Sequence, residues 1–208
     1  MEAIKRAAVI VTGASGSAYG LRAIQQLADG GAEVVAIFTP TGEAVARYEV
    51  GLALDGPDRA ASLASFLDLS RTATVRVADD ADLFDPVSSG SNAPDAVLVV
   101  PASMGFVASC AAGLASDLAE RVVDVVLKER RPVVFVPRET PLNLIHLRNL
   151  TTLAEAGAAI VPAMPAYYTM PKTVDDMVDF VVGKALDVLG FPHRLFERWS
   201  GSEPALDG

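Results

Sequence analysis

The chain has 208 residues, of which 51% are hydrophobic and 21% charged. That length suits one domain burying roughly 70% of the surface an unfolded chain would expose, and no apolar run approaches the ~18 residues of a membrane span. The formal net charge of −9 repels nucleic-acid backbones, so a phosphorylated ligand must be small and met by locally concentrated basic residues.

Met1 to Arg6 is basic, but the apolar stretch from Ala7 soon enters a Gly-rich turn, so no secretory leader is expected. Short β-branched runs then follow at Ala7 to Val11, Glu33 to Phe38, Thr74 to Val77, Ala96 to Pro101, Val133 to Pro137 and Ala159 to Pro162. They read as continuous apolar stretches, the pattern of parallel strands covered on both faces. Between them, Leu21 to Ala28, Leu118 to Lys128, Leu142 to Ala156 and Val174 to Leu189 have helical spacing. Repeated βα units predict an α/β fold: a Rossmann-like, doubly wound parallel sheet in three α/β/α layers. Ligands then sit beyond the carboxyl ends of the strands, where the strand order reverses.

Two stretches break the pattern. Val50 to Asp58 reads as a surface loop, and Asp85 to Asp95, DPVSSGSNAPD, as an irregular loop of a length that often carries function. Residues 1–190 form the expected domain. Residues 191–208 form a tail whose Phe191, Phe196 and Trp199 suggest a partner surface, with mobile last residues. The single cysteine, Cys110, cannot form an internal disulfide, which fits a reducing cytoplasm.

TGASGSAYG, Thr12 to Gly20, brings backbone amides and hydroxyls to the mouth of a βα turn, where they can face an anion or a flat ring. Gly13, Gly16 and Gly20 do not match the dinucleotide pattern G-x-G-x-x-G. His146, His193 and Cys110 lack metal-ligand spacing, so no metal is expected. Cys110 reads as a small apolar helix residue, His146 as a structural hydrogen-bonder, and Arg130 and Arg131 as a solvated helix face. His193 has no assigned role.

GASG, SGS, PASMG, LKERRP, PRETPL followed by IH, PAMPAYY and VDFVVGKALDVLG occur in that order across nearly the whole chain. This ordered set resembles the UbiX flavin prenyltransferases. The resemblance implies a metal-independent transferase that joins a dimethylallyl group, from dimethylallyl monophosphate, to nitrogen-5 and carbon-6 of reduced FMN. The product, prenylated FMN, would serve a UbiD-type decarboxylase. It implies a homo-oligomer, commonly a dodecamer, with the donor held partly by a neighbouring subunit and no nucleic-acid or membrane partner.

By the same resemblance, Gly13, Ala14, Ser15, Thr39, Ser103, Met104, Gly105 and Arg138 bind FMN. Ser15 lies near nitrogen-5 and Thr39 at the ribityl phosphate; the Met104 side chain suits core packing equally. Ser89, Gly90, Ser91, Arg121, Lys128, Arg138, Tyr168 and Lys184 hold the donor phosphate. The residues assigned to catalysis are Ser15, Glu49, Lys128, Glu139 and Tyr168, with Glu49 handling protons and Glu139 holding neighbouring basic groups. Lys184 stands where close relatives have arginine, and an ammonium cannot copy a bidentate guanidinium fork. Two other readings share the fold, an FMN-dependent cysteine decarboxylase and a non-catalytic flavin-binding subunit. The RETPL and AYY segments, and a first βα loop without histidine, argue against the decarboxylase. Convergence of Glu49 and the basic residues on one pocket would argue against the subunit.

Overall fold

A computed structural model describes residues 4–199 and 201. Six strands, β1 (Arg6–Val11), β2 (Glu33–Phe38), β3 (Thr74–Ala78), β4 (Ala96–Ala102), β5 (Val133–Pro137) and β6 (Ala159–Ile160), form one sheet in the order β3-β2-β1-β4-β5-β6. Every pairing is parallel. The chain runs outward from β1 through β2 to β3, then restarts at β4 on the other side of β1. The reversal of strand order therefore lies between β1 and β4, where a doubly wound sheet opens a crevice at its C-terminal edge.

Both faces of the sheet are covered, which is why the strands are apolar without alternation. Val9, Val11 and Leu98 belong to the core beneath α1 (Ser17–Asp29) and α7 (Val174–Leu189), whereas Ile10, Val99 and Phe135 belong to the opposite one. That second core lies under α4 (Met104–Ala111), α5 (Leu118–Lys128) and α6 (Leu144–Glu155). Each such side chain contributes about 1.5–3 kcal/mol of hydrophobic burial.

All six expected strands form. Two helices were not among the expected helical segments, α2 (Pro40–Val50) and α3 (Arg59–Phe66), whereas α4 is the helix expected around Cys110. Their apolar stripes are thin, since α2 buries only Gly42 and Ala46 and α3 only Leu63, so periodicity was a poor guide. The caps were better signals. Thr39, Asp58 and Ser103 each accept an amide from the first turn of the helix that follows. Two loop expectations also change. Leu52 and Leu54 are buried, so the stretch after α2 is anchored in the core rather than lying wholly on the surface. The Asp85 to Asp95 stretch contains two short 3₁₀ turns, at Pro86–Ser88 and Gly90–Asn92.

The start of the tail packs onto the domain. Phe191 is buried against Gly30 at the end of α1, and Phe196 is half-buried, leaving only Trp199 of the three aromatics exposed. Asp187 of α7 holds this segment through His193 at 3.0 Å and Arg198 at 2.6 Å, which gives His193 a structural role. The expected mobility of the last residues falls on 202–208, outside the described residues. No helix among those described is long and apolar enough to cross a membrane.

Candidate active site

At the crevice, buried Thr12 ties the tip of β1 to that of β4. Its hydroxyl donates to the Pro101 carbonyl at 2.7 Å and accepts the Ser103 amide at 2.7 Å. Gly13, Ala14 and Ser15 leave β1 from this tie, and Ser103, Met104 and Gly105 leave β4 opposite them. Ser103 caps α4 through the Phe106 amide at 3.3 Å. The Met104 side chain is buried in the core, so only its backbone can line a ligand surface. A Cβ added at Gly105 would meet nothing within 4 Å, so this wall is low and open, as a planar ring requires.

Gly16 adopts φ 111°, a left-handed conformation that costs glycine little, and it starts α1 without a side-chain cap. Glu49, next to last in α2, supplies the cap from outside. Its carboxylate accepts the Gly16 amide at 3.0 Å and the Ser17 amide at 2.8 Å, satisfying donors that a helix start leaves open. Partial burial opposes ionisation of Glu49, but the Ser15 hydroxyl and the Ser17 and Gly16 amides outweigh it and hold the carboxyl below its ordinary 4.5. From the other side, Arg138, just after β5, donates from Nε to the Ser15 carbonyl at 2.9 Å. The Ser15 loop is thus gripped by an anion and a cation. Thr39 spends an oxygen lone pair on the Gly42 amide at 3.1 Å, which leaves its hydroxyl proton for an outside acceptor at the α2 N-terminus.

Glu139 does not hold a basic group in the single chain. Its carboxylate accepts the neighbouring Thr140 amide at 3.0 Å and forms no ion pair among the described residues. Tyr168, on the loop after β6, is 53% exposed. Its ring lies edge-on to Phe180 at 5.9 Å and to Trp199 at 5.8 Å, and Tyr168 and Trp199 line a cavity of about 370 Å³. Trp199 stood out in the sequence only as an aromatic tail residue; its contact with Tyr168 depends on the tail folding back over α7. Lys184, one turn beyond Phe180, lies 3.7 Å from Asp187, the carboxylate already shared by His193 and Arg198.

The remaining phosphate candidates are elsewhere. Ser89, Gly90 and Ser91 precede β4, and Lys128 ends α5 just before β5, so they occupy the N-terminal edge of the sheet. A Cβ at Gly90 would approach Lys128 Nζ to 3.1 Å, which places loop and ammonium side by side. Ser89 and Ser91 share a hydroxyl hydrogen bond of 3.1 Å, and Lys128 pairs with Glu129 at 2.8 Å. Arg121 is seven residues before Lys128, hence on the same face of α5 and about 10 Å along its axis, where it pairs with Asp124. The seven residues of β4 separate the SGS loop from Ser103 by roughly 20 Å. One chain therefore carries the candidate flavin residues and the SGS–Lys128 group at opposite sheet edges, and its basic residues and Glu49 do not converge on a single pocket.

Other expectations resolve simply. Arg130 is exposed, as expected. Arg131 lies beyond the end of α5, half-buried, and bonds loop carbonyls instead of solvent. His146 completes a capping box with Asn143 at the start of α6. Burial, with Glu120, Asp117 and Asp124 nearby, pushes the Cys110 thiol up and away from thiolate chemistry. Burial also raises Asp80 to about 6, opposed by the Ala119 amide and assisted by Asp117, Asp79 and Glu120. Among the described residues, no three His, Cys, Asp or Glu side chains gather as a metal-holding group.

A protein-family model described as Flavoprotein matches residues 1–186. The flavin prenyltransferase UbiX of Halalkalibacterium halodurans is 44% identical over 189 residues, covering 91% of this chain and 90% of the relative. The chain belongs to the UbiX flavin prenyltransferase family. Among solved structures, AnUbiX (PadA1) in complex with FMN and dimethylallyl pyrophosphate is 37% identical with a TM-score of 0.83, over 96% of this chain and all of that one. A dodecameric FMN-dependent UbiX-like decarboxylase from Escherichia coli O157:H7 is also 37% identical, with a TM-score of 0.81, over 94% of this chain and all of that one. The UbiX fold thus extends from β1 through α7.

Proposed function

We propose that this protein is a flavin prenyltransferase. It transfers a dimethylallyl group from dimethylallyl monophosphate to reduced FMN, forming bonds at nitrogen-5 and carbon-6, and supplies the prenylated flavin to a UbiD-type decarboxylase. The observation that carries the reading is the clamped Ser15 loop beside a low, open wall, combined with membership of a family whose members are named for this reaction. When bound, reduced flavin supplies the nucleophilic ring atoms.

The residues present fit that group. Gly105 leaves room for a planar ring opposite Gly13 and Ala14, Ser15 offers a hydroxyl at its edge, and Thr39 at the α2 N-terminus suits a terminal phosphate. Glu49 stays ionised near the Ser15 hydroxyl, so it can accept a proton released as a ring bond forms. Tyr168 can donate its hydroxyl to a donor phosphate oxygen. The Tyr168 and Trp199 faces suit the allylic cation character that develops as the carbon–oxygen bond breaks and phosphate leaves with the electron pair.

The separation of the half-sites supports a homo-oligomer in which Ser89 to Ser91, Lys128 and Arg121 of one copy approach the flavin pocket of another. We take a dodecamer as the assembly, as in the E. coli relative, with the tail contributing to its contacts. The cytoplasm is the compartment that the lone thiol suits. Charge-assisted contacts from Lys128, Arg121 and Arg138 would neutralise the leaving phosphate from protein side chains. The cysteine decarboxylase reading would need a histidine in the first βα loop, and the Thr12 to Gly16 turn has none. To test the reaction, the purified protein is incubated anaerobically with reduced FMN and dimethylallyl monophosphate, and the flavin is weighed by mass spectrometry. A gain of one C5 unit is expected; an unchanged flavin mass rejects the proposal.

A further inference from the structure

The segment carrying Ser89 to Ser91 is pinned at both ends by charged side chains that the site assignments leave without a role. At its start, Arg76 pairs bidentately with Asp85 at 2.7 and 2.8 Å, and Asp85 caps the first 3₁₀ turn through the Val87 amide at 2.9 Å. At its end, two guanidiniums converge on three consecutive carbonyls. Arg6 donates to the backbone oxygens of Asn92 at 2.5 Å and Ala93 at 3.1 Å, and to the Asn92 side-chain oxygen at 3.0 Å. Arg131 donates to the backbone oxygens of Ala93 at 2.5 Å and Pro94 at 3.0 Å. The Ala93 carbonyl thus accepts from both.

Two cations on one carbonyl repel, and Asp95 offsets that repulsion. Its carboxylate accepts the Lys5 and Arg6 amides at 2.9 and 3.0 Å and lies 3.7 Å from the Arg131 guanidinium. Lysine could not replace this arrangement fully, because one planar guanidinium spans neighbouring carbonyls that an ammonium meets singly. The segment between the pins makes few bonds of its own beyond its two short turns and the Ser89–Ser91 contact. Without the pins, the cost of ordering it would fall on ligand binding.

We propose that Arg6 and Arg131, balanced by Asp95, are positioning residues for donor recognition: they hold Ser89, Gly90 and Ser91 against Lys128 in the geometry that receives the donor phosphate. This rests on the reading of that loop as part of the donor-phosphate site. Neither arginine touches the substrate. The loss is therefore in donor capture, while bond making at the flavin keeps its own residues.

The test is steady-state kinetics of the full chain under anaerobic conditions, with dimethylallyl monophosphate varied at saturating reduced FMN. Arg131→Gln, Arg131→Lys and Ser91→Ala are compared, with oligomeric state and melting temperature measured alongside. Arg131→Gln is expected to raise the donor KM about ten- to a hundredfold while kcat changes less than about threefold, because misplacing a binding group costs on that scale. Arg131→Lys should recover part of the loss. If Arg131→Gln does not fold, the Lys variant still carries the test, with a smaller expected rise in donor KM. A lowered melting temperature with donor KM unchanged in both Arg131 variants, while Ser91→Ala raises it, would overturn the positioning role and leave the reaction standing. Donor KM unchanged in all three variants would show that the loop is not the donor site, and would overturn the loop assignment along with it.

Discussion

At the C-terminal edge of the sheet the candidate residues are locked to one another before any ligand arrives. Thr12 ties two loops, Glu49 caps α1 and Arg138 holds the Ser15 carbonyl. At the N-terminal edge, Ser89 and Ser91 are exposed, and Lys128 is 58% exposed and, among the described residues, pairs only with its neighbour Glu129. The difference teaches how labour is divided within one sequence. On the proposed function, the flavin side is a crevice shaped within one chain, where bound geometry is set in advance. On the same proposal, the donor side is a patch pinned from behind by Arg6 and Arg131 and open in front, which would gain a pocket against another surface.

Substitutions can break this contrast, and the largest effect is expected at Glu49. Glu49→Gln keeps the shape of the cap but removes the proton acceptor, so kcat for flavin prenylation should fall about 10²- to 10⁴-fold with the fold retained by circular dichroism. Lys128→Ala should lower the rate about ten- to a thousandfold through lost phosphate neutralisation, with FMN affinity, measured by fluorescence quenching, nearly unchanged. Trp199→Ala removes one aromatic face near Tyr168 and should cost about 3- to 30-fold in kcat/KM. Lys184→Ala should cost least among the phosphate candidates, within about tenfold in donor KM, because its ammonium already faces Asp187.

A stability measurement sharpens the contrast outside the candidate site. Asp80, just after β3 with its carboxylate accepting the Ala119 amide at the start of α5, has its pKa raised from 3.8 to about 6. Its ionised form is thus disfavoured in the folded state, so it lowers stability as pH rises from about 4 through 6, and the penalty is complete above that range. Asp80→Asn, whose oxygen can still accept the Ala119 amide, should stabilise the protein by on the order of 1–3 kcal/mol at pH 7.5 and by little near pH 4, as read by urea denaturation. An equal gain at both pH values would show that the effect is not electrostatic.

Much of the architecture was legible because parallel strands buried on both faces leave an unmistakable apolar signature. Val133 to Pro137 and Glu33 to Phe38 match their strands residue for residue. Helices α2 and α3 were missed because they bury so little; their caps at Thr39 and Asp58 carried the signal. That Ser15, Ser103 and Arg138 share one edge was legible because Ser103 and Arg138 directly follow strands and Ser15 lies in the turn after β1, and a parallel sheet brings its strand ends together. The donor side was not. Ser89 to Ser91, Lys128 and Arg138 look like one phosphate set by residue type, yet β4 separates the SGS loop from the edge where Arg138 sits, and no local pattern reports that distance. Arg131 was read, with Arg130, as part of a solvated helix face. Its partners are carbonyls of a loop nearly forty residues earlier, which only the folded sheet brings near.

On the proposed function, a working site takes its flavin half from one copy and its donor half from another. Glu49→Gln and Lys128→Ala chains, each nearly inactive alone, can be unfolded together, refolded as mixed assemblies and assayed for prenylated flavin by mass spectrometry. Random mixing leaves both residues intact at about a quarter of shared sites, so activity should return to roughly a quarter of the unmodified level. Mixed assemblies, verified by differential tagging, that stay as inactive as their parents would contradict it.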